Sequence, residues 1–123
     1  MLFLDPTEAL EAHAFGIAEW GGSDGVRDRN ALGSALAAPE NAHAYSGEED
    51  LFVLAAIYAE RIAQNHPFVD GNKRAALLCA LAFLAKNGIE SVEDRGELEA
   101  PMLRLAQSEI GAAEFAEALR RFA

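Results

Sequence analysis

Ala75-Ala76-Leu77-Leu78-Cys79-Ala80-Leu81-Ala82-Phe83-Leu84-Ala85 is the stretch on which the fold turns. It carries no charged side chain on any side, so a helix built from it has no face suited to water and belongs among other helices. Asn72 opens this helix and Lys86 closes it, with Asn87-Gly88 placing glycine in the left-handed terminal position. It is the expected hub of the molecule.

The segments on either side read as further helices. Ser46 with Glu49 three residues on makes a capping box, and Leu51, Leu54, Ala55, Tyr58 and Ile62 follow at i, i+3, i+4, i+7 and i+11, the clearest amphipathic pattern in the chain. Asp5-Pro6-Thr7-Glu8 starts a first helix that Gly21-Gly22 ends. Its apolar face is expected from Leu10, Ala14, Ile17, Ala18 and Trp20, with His13 beside that stripe as a packing or surface residue. A loop with three glycines, Gly21 to Arg27, leads to a short helix from Asp28 to Ala38, with Leu32 and Leu36 on one side and Pro39 as its stop. Ile89 to Val92 reads as a short extended piece, followed by helices around Glu97 to Gln107 and Ala112 to Phe122. The expectation is all-α: a compact bundle of about six helices around a central buried helix, in a single domain spanning residues 1–123.

Composition narrows the partners. Hydrophobic residues are 51% and charged residues 24% of the 123, the balance of a folded protein. Twenty acidic against ten basic residues give a net charge of −10, which repels nucleic-acid phosphates and anionic lipid, so neither direct nucleic-acid binding nor a membrane partner is expected. Cys79 has no second cysteine to pair with and reads as a small core residue. No run reaches the ~20 apolar residues of a membrane span. Met1 to Asp5 has no basic start or apolar middle of a signal peptide, and the expected location is cytoplasmic.

Chemistry concentrates in His66-Pro67-Phe68-Val69-Asp70-Gly71-Asn72-Lys73-Arg74, just before the central helix. Lys73 and Arg74 open a helix whose first N–H groups and dipole already favour an anion, in a chain that is otherwise acidic. Gly71 permits close backbone approach, and Asn72 is expected to cap the helix while presenting its amide to the same pocket. Asp70 offers a hard oxygen ligand where a Mg²⁺ bridging phosphates would need one. His66 offers an imidazole that can take a proton from an attacking hydroxyl. Each residue has an ordinary reading as a cap, a solvated first-turn charge or a helix-end histidine. None of those readings explains the ordered set.

The same nine residues resemble the HxFx(D/N)(A/G)N(K/G)R signature of the Fic/Doc, or Fido, family, in the form typical of its Doc, or death-on-curing, toxins. The likeness extends to Gly21-Gly22, Gly25-Val26-Arg27-Asp28, Ser34-Ala35-Leu36 and Pro39. It implies a Fido fold with His66 as catalytic base, Asp70 as Mg²⁺ ligand, Gly71, Asn72, Lys73 and Arg74 as the ATP phosphate-binding groups, and Phe68 as the buried anchor of the loop. Fic enzymes that transfer AMP carry glycine where Lys73 stands and a second arginine where Leu77 stands. The resemblance therefore implies the kinase branch, in which ATP lies reversed and its γ-phosphate goes to a threonine of elongation factor Tu, stopping translation. Ala75 and Leu78 depart from that branch, which often has threonine and a polar residue at these positions.

A toxin of this kind implies a small antitoxin partner whose disordered segment folds into a helix on an apolar groove. Phe3, Phe15, Trp20, Tyr45, Phe52 and Phe122 are the aromatics from which such a groove could draw. No (S/T)xxxE(G/N) inhibitory helix is present in the sequence, so the resemblance implies inhibition by a separate chain. The alternatives are a Fic-type protein adenylyltransferase and a non-catalytic binding module that retains the loop.

Overall fold

The computed structural model describes residues 1–90 and 95–123. Its elements are α1 (Pro6–Trp20), α2 (Arg29–Ser46), α3 (Leu51–Asn65), α4 (Asn72–Lys86), α5 (Glu99–Ala106) and α6 (Ala112–Arg121), with no strand among the described residues. The all-helical expectation holds. The extended piece expected at Ile89 to Val92 falls partly outside the described residues.

The bundle has a paired centre. α3 packs against α2, α4, α5 and α6, while α4 packs against α1, α3 and α5. Leu54, Ala55, Ala56, Tyr58, Ala59 and Ile62 of α3 and Ala76, Cys79, Ala80, Phe83 and Leu84 of α4 are wholly buried. The many alanines let the two helices approach closely, and the Tyr58 and Phe83 rings meet at 5.1 Å. The Tyr58 hydroxyl accepts the Leu4 N–H at 2.9 Å, fastening the N-terminal segment to this centre. Cys79 is wholly buried, and that burial pushes its thiol up to about 12, so it stays protonated at neutral pH.

α1 begins as its sequence dictates. Asp5 Oδ1 accepts the Glu8 N–H and Glu8 Oε1 accepts the Asp5 N–H, with Pro6 in the first turn. Its buried face differs from the expected one: Ala9, His13 and Gly16 face inward, while Leu10 and Trp20 are exposed. The reason is proximity to α4, since a Cβ on Gly16 would lie 3.2 Å from Arg74 Cγ and 3.3 Å from Leu78 Cδ1. At Gly16 there is no room for a larger side chain, and the inward space at His13 is filled by a ring stacked on Phe68. Lys86 bonds Glu8 at 2.6 Å and the Phe3 carbonyl at 3.0 Å, so the end of α4 meets the start of α1. The two helices run antiparallel, and the end of α1 lies beside the start of α4.

Two expected boundaries move. Pro39 does not stop α2 but sits buried inside it, and the helix runs on to a left-handed Gly47. A proline removes one intrahelical hydrogen bond, and burial of the ring in the core offsets that loss here. Ser46 is thus the last residue of α2 and not the cap of α3. That cap is Asp50, which accepts from Phe52 N–H at 2.9 Å and Val53 N–H at 3.4 Å.

Candidate active site

α3 ends at His66, whose backbone is left-handed at φ 51°, ψ 54°. Such a conformation in a non-glycine residue needs surrounding support. Arg27 supplies it: Nε donates to the His66 carbonyl at 2.6 Å and Nη2 to the Asn65 carbonyl at 3.0 Å. The Arg27 and Asp28 N–H groups both bond the Pro67 carbonyl, and Val69 N–H bonds the Gly25 carbonyl. The glycine-bearing loop before α2 therefore lies along the motif loop, with Val26 and Phe68 forming a single antiparallel bridge. Phe68 is wholly buried, as the anchor expected from the sequence.

Asn72 differs from its expected role. The N-cap of α4 is Gly71, in the left-handed region at φ 73°, and no side chain caps the helix. Asn72 lies one position inside and its amide is spent inward: Oδ1 accepts the Phe68 N–H at 3.0 Å, and Nδ2 donates to the Phe68 carbonyl at 3.0 Å. These two bonds fix which end of the amide is which, because a flipped amide would set N–H against N–H and oxygen against oxygen. Nδ2 also faces His66 Nδ1 at 3.2 Å. Asn72 thus clamps the loop and holds one edge of the His66 ring, leaving Nε2 as the nitrogen available to another group.

Asp70 is held from two sides. Its Oδ2 accepts the Ser23 N–H at 3.1 Å and its Oδ1 the Gly71 N–H at 2.8 Å. The Ser23 bond first, and then the Gly71 bond, hold its carboxyl below the usual carboxylate range. Gly22 must be glycine for this to occur, since a Cβ there would sit 2.8 Å from Asp70 Oδ2 and its φ is +116°. On the inner side, His13 Nε2–H donates to the Asp70 carbonyl at 2.8 Å, and its ring lies flat on Phe68 at 3.9 Å. The sequence marks Gly22 as a helix stop within a glycine-bearing loop shared with the family, and His13 as a packing or surface residue, and assigns neither a contact with Asp70. The signal for both lay in a tertiary approach that no local pattern encodes.

The first-turn N–H groups of α4 have no partner within the helix, and they point with the positive end of its dipole beside Lys73 and Arg74. The Arg74 guanidinium stacks on the Trp20 ring at 4.0 Å, which holds it at the mouth of the site. His66, Asp70, Gly71, Asn72, Lys73 and Arg74 all border one open cleft of about 1110 Å³, lined also by Trp20, Leu77 and Leu103. The structure thus brings together the six candidate site residues named from the sequence.

The described residues contain no cluster of three or more histidine, cysteine or acidic side chains that could cage a metal by themselves. A Mg²⁺ held with phosphates asks less of the protein: one or two carboxylates suffice, the rest being phosphate oxygens and water. Asp70, pinned and ionised beside the helix N-terminus, fits that requirement.

A cleft that sets an imidazole, a pinned carboxylate and a cationic helix N-terminus together has the chemistry to hold phosphate with a divalent cation. Residues 3–84 match the Fic/DOC family, and the chain belongs to it. Over 121 residues it is 35% identical to Protein kinase doc of Escherichia phage P1, covering 98% of this chain and 95% of that protein. It is also 36% identical over 93 residues to Toxin Doc of Mycolicibacterium smegmatis, covering 75% of this chain and 69% of that protein.

Proposed function

We propose that this protein is the toxin of a toxin–antitoxin pair and acts as a Doc-type kinase. It transfers the γ-phosphate of ATP to a threonine hydroxyl of a translation factor, with elongation factor Tu as the target the family resemblance implies. The observation that carries the reading is the cleft itself, in which His66, Asp70 and the N-terminus of α4 with Lys73 and Arg74 share one wall. The name of the phage P1 relative supports kinase chemistry, and both relatives support a toxin.

In this reading the hydroxyl oxygen attacks the γ-phosphorus, the bond to the bridging oxygen breaks, and ADP leaves. His66 accepts the hydroxyl proton at Nε2. At rest Asn72 N–H faces Nδ1, so the neutral ring carries its proton on Nε2. Taking up a second proton there requires the first to move to Nδ1 through solvent, which sets Nδ1–H against the fixed Asn72 N–H and costs about 1–3 kcal/mol. The backbone N–H groups of Asn72 to Arg74, with the Lys73 and Arg74 side chains, cradle the phosphates and meet the charge that develops during transfer, while Gly71, its own N–H bonded to Asp70, lets the backbone come close. Asp70 would hold Mg²⁺, which neutralises phosphate charge and orients the leaving group when bound. Lys73 in place of glycine and Leu77 in place of a second arginine favour γ-phosphate over AMP transfer.

An antitoxin segment folding on an apolar surface belongs to the same reading. Of the aromatics named above, Phe15, Trp20 and Tyr45 are exposed, while Phe3, Phe52 and Phe122 pack against the core. No helix among the described residues is long and apolar enough to cross a membrane. Action in the cytoplasm follows from the need for ATP.

The test is parallel incubation with Mg²⁺, a bacterial extract and ATP labelled at the α or the γ phosphate, with His66→Ala as control. Label from the γ position on one protein band, lost in His66→Ala, is the expected result. Label from the α position would move the protein to AMP transfer, and no label from either would leave a binding module.

A further inference from the structure

His13 is buried on α1, 4% exposed, and its one strong polar contact reaches across to the motif loop. The carbonyl it bonds belongs to the Asp70–Gly71 peptide. The N–H of that same peptide is the Gly71 donor that holds Asp70 Oδ1 at 2.8 Å. A trans peptide points its C=O and N–H in opposite directions within one plane, so fixing the carbonyl on His13 also fixes the N–H on the carboxylate. The lock is needed, because Gly71 at φ +73° tolerates either sign of φ and leaves this peptide free to rotate. The His13 ring cannot swing away, since it lies 3° from parallel on the wholly buried Phe68.

We propose that His13 is the positioning residue for Asp70: by holding the Asp70–Gly71 peptide in this orientation, it keeps the carboxylate in the pose that binds a divalent cation. The proposal rests on the reading of Asp70 as the cation ligand. Neutral histidine with its proton on Nε2 donates this bond and so does the imidazolium, and the role needs no titration. A histidine that only filled space could be replaced by an aromatic ring of similar size without effect on the carboxylate.

Two variants separate these roles. His13→Phe keeps the stacked ring and removes the donor, whereas His13→Gln keeps an N–H of similar reach and removes the ring. Without metal, the Gly71 amide resonance in a ¹H–¹⁵N spectrum reports its bond to Asp70 Oδ1. With a non-hydrolysable ATP analogue, electron paramagnetic resonance reports Mn²⁺ affinity. The expected result is a displaced Gly71 resonance and an affinity loss of about tenfold or more in His13→Phe, with His13→Gln within about threefold of the parent. An unchanged Gly71 resonance and Mn²⁺ affinity in His13→Phe overturns the proposal, as does an equal loss in both variants. Asp70→Asn is measured in parallel. If it binds Mn²⁺ as the parent does, the cation reading fails, and the Gly71 resonance alone decides whether His13 holds the peptide.

Discussion

Gly22→Ala is the sharpest perturbation the structure offers, because its effects on stability and on the site separate. At φ +116° any L side chain is strained, at a cost of about 1–3 kcal/mol. Its Cβ would also stand 2.8 Å from Asp70 Oδ2, against an ordinary contact of 3.4 Å or more, so the carboxylate must withdraw by about 0.6 Å. The Ser23 N–H bond to that oxygen, already 3.1 Å, is lost in the move. Gly25→Ala is the matched control: its φ is also +116°, but its Cβ meets only Val69 Cγ2, at 3.5 Å. Both variants should lower the melting temperature, by roughly 4–12 °C for a domain of this size, with Gly22→Ala toward the upper end because its Cβ also stands 3.1 Å from Ile17 Cδ1. Only Gly22→Ala should lower Mg²⁺-dependent phosphate transfer, by about tenfold or more, as expected when a support of a metal ligand is removed. Scanning fluorimetry and transfer of γ-label at several Mg²⁺ concentrations measure the two effects. If Gly22→Ala retains the transfer rate of Gly25→Ala, the claim that this glycine exists to admit the Asp70 carboxylate is wrong.

Other outcomes follow from the same contacts. Phe68→Ala should cost about 3–5 kcal/mol in urea unfolding, since a wholly buried ring is removed, and a cost below 1 kcal/mol would show that the loop is not anchored there. Cys79, with its thiol pushed up to about 12, should resist a disulfide reagent at pH 8 until the protein unfolds; rapid labelling of the native state would contradict its place in the core. Asp70 titrates lower folded than unfolded, so whatever its charge contributes is fully present above about pH 5 and fades as pH falls through the folded value. The stability difference between parent and Asp70→Asn should therefore be flat from pH 5 to 8 and shrink only below, and a change centred near neutrality would assign the titration elsewhere. Tyr58→Phe leaves the buried Leu4 N–H without its acceptor and should cost about 1–3 kcal/mol, read from chemical denaturation.

The sequence by itself determined the helical architecture and named the residues of the candidate site. The uniformly apolar run Ala75 to Ala85 demanded burial, the Asp5 to Glu8 capping box started α1 where the structure starts it, and His66 to Arg74 carried its chemistry in one contiguous loop. Local patterns of this kind are legible because the interactions that create them span only a few residues. The buried face of α1 was not legible, since hydrophobicity favours Leu10 and Trp20 whereas the structure buries Ala9, His13 and Gly16, with Gly16 tight against Arg74 and Leu78 and His13 stacked on Phe68. Nor was the persistence of α2 through Pro39, which rests on how the surrounding core receives the ring. Above all, only the tertiary structure decided how the loop is held. Ser23 and His13 lie 47 and 57 residues from Asp70, and Arg27 lies 39 from His66. Contacts at that separation exist only once α1 has packed antiparallel on α4 and brought its C-terminal end, with the glycines that follow, against the N-terminus of the central helix.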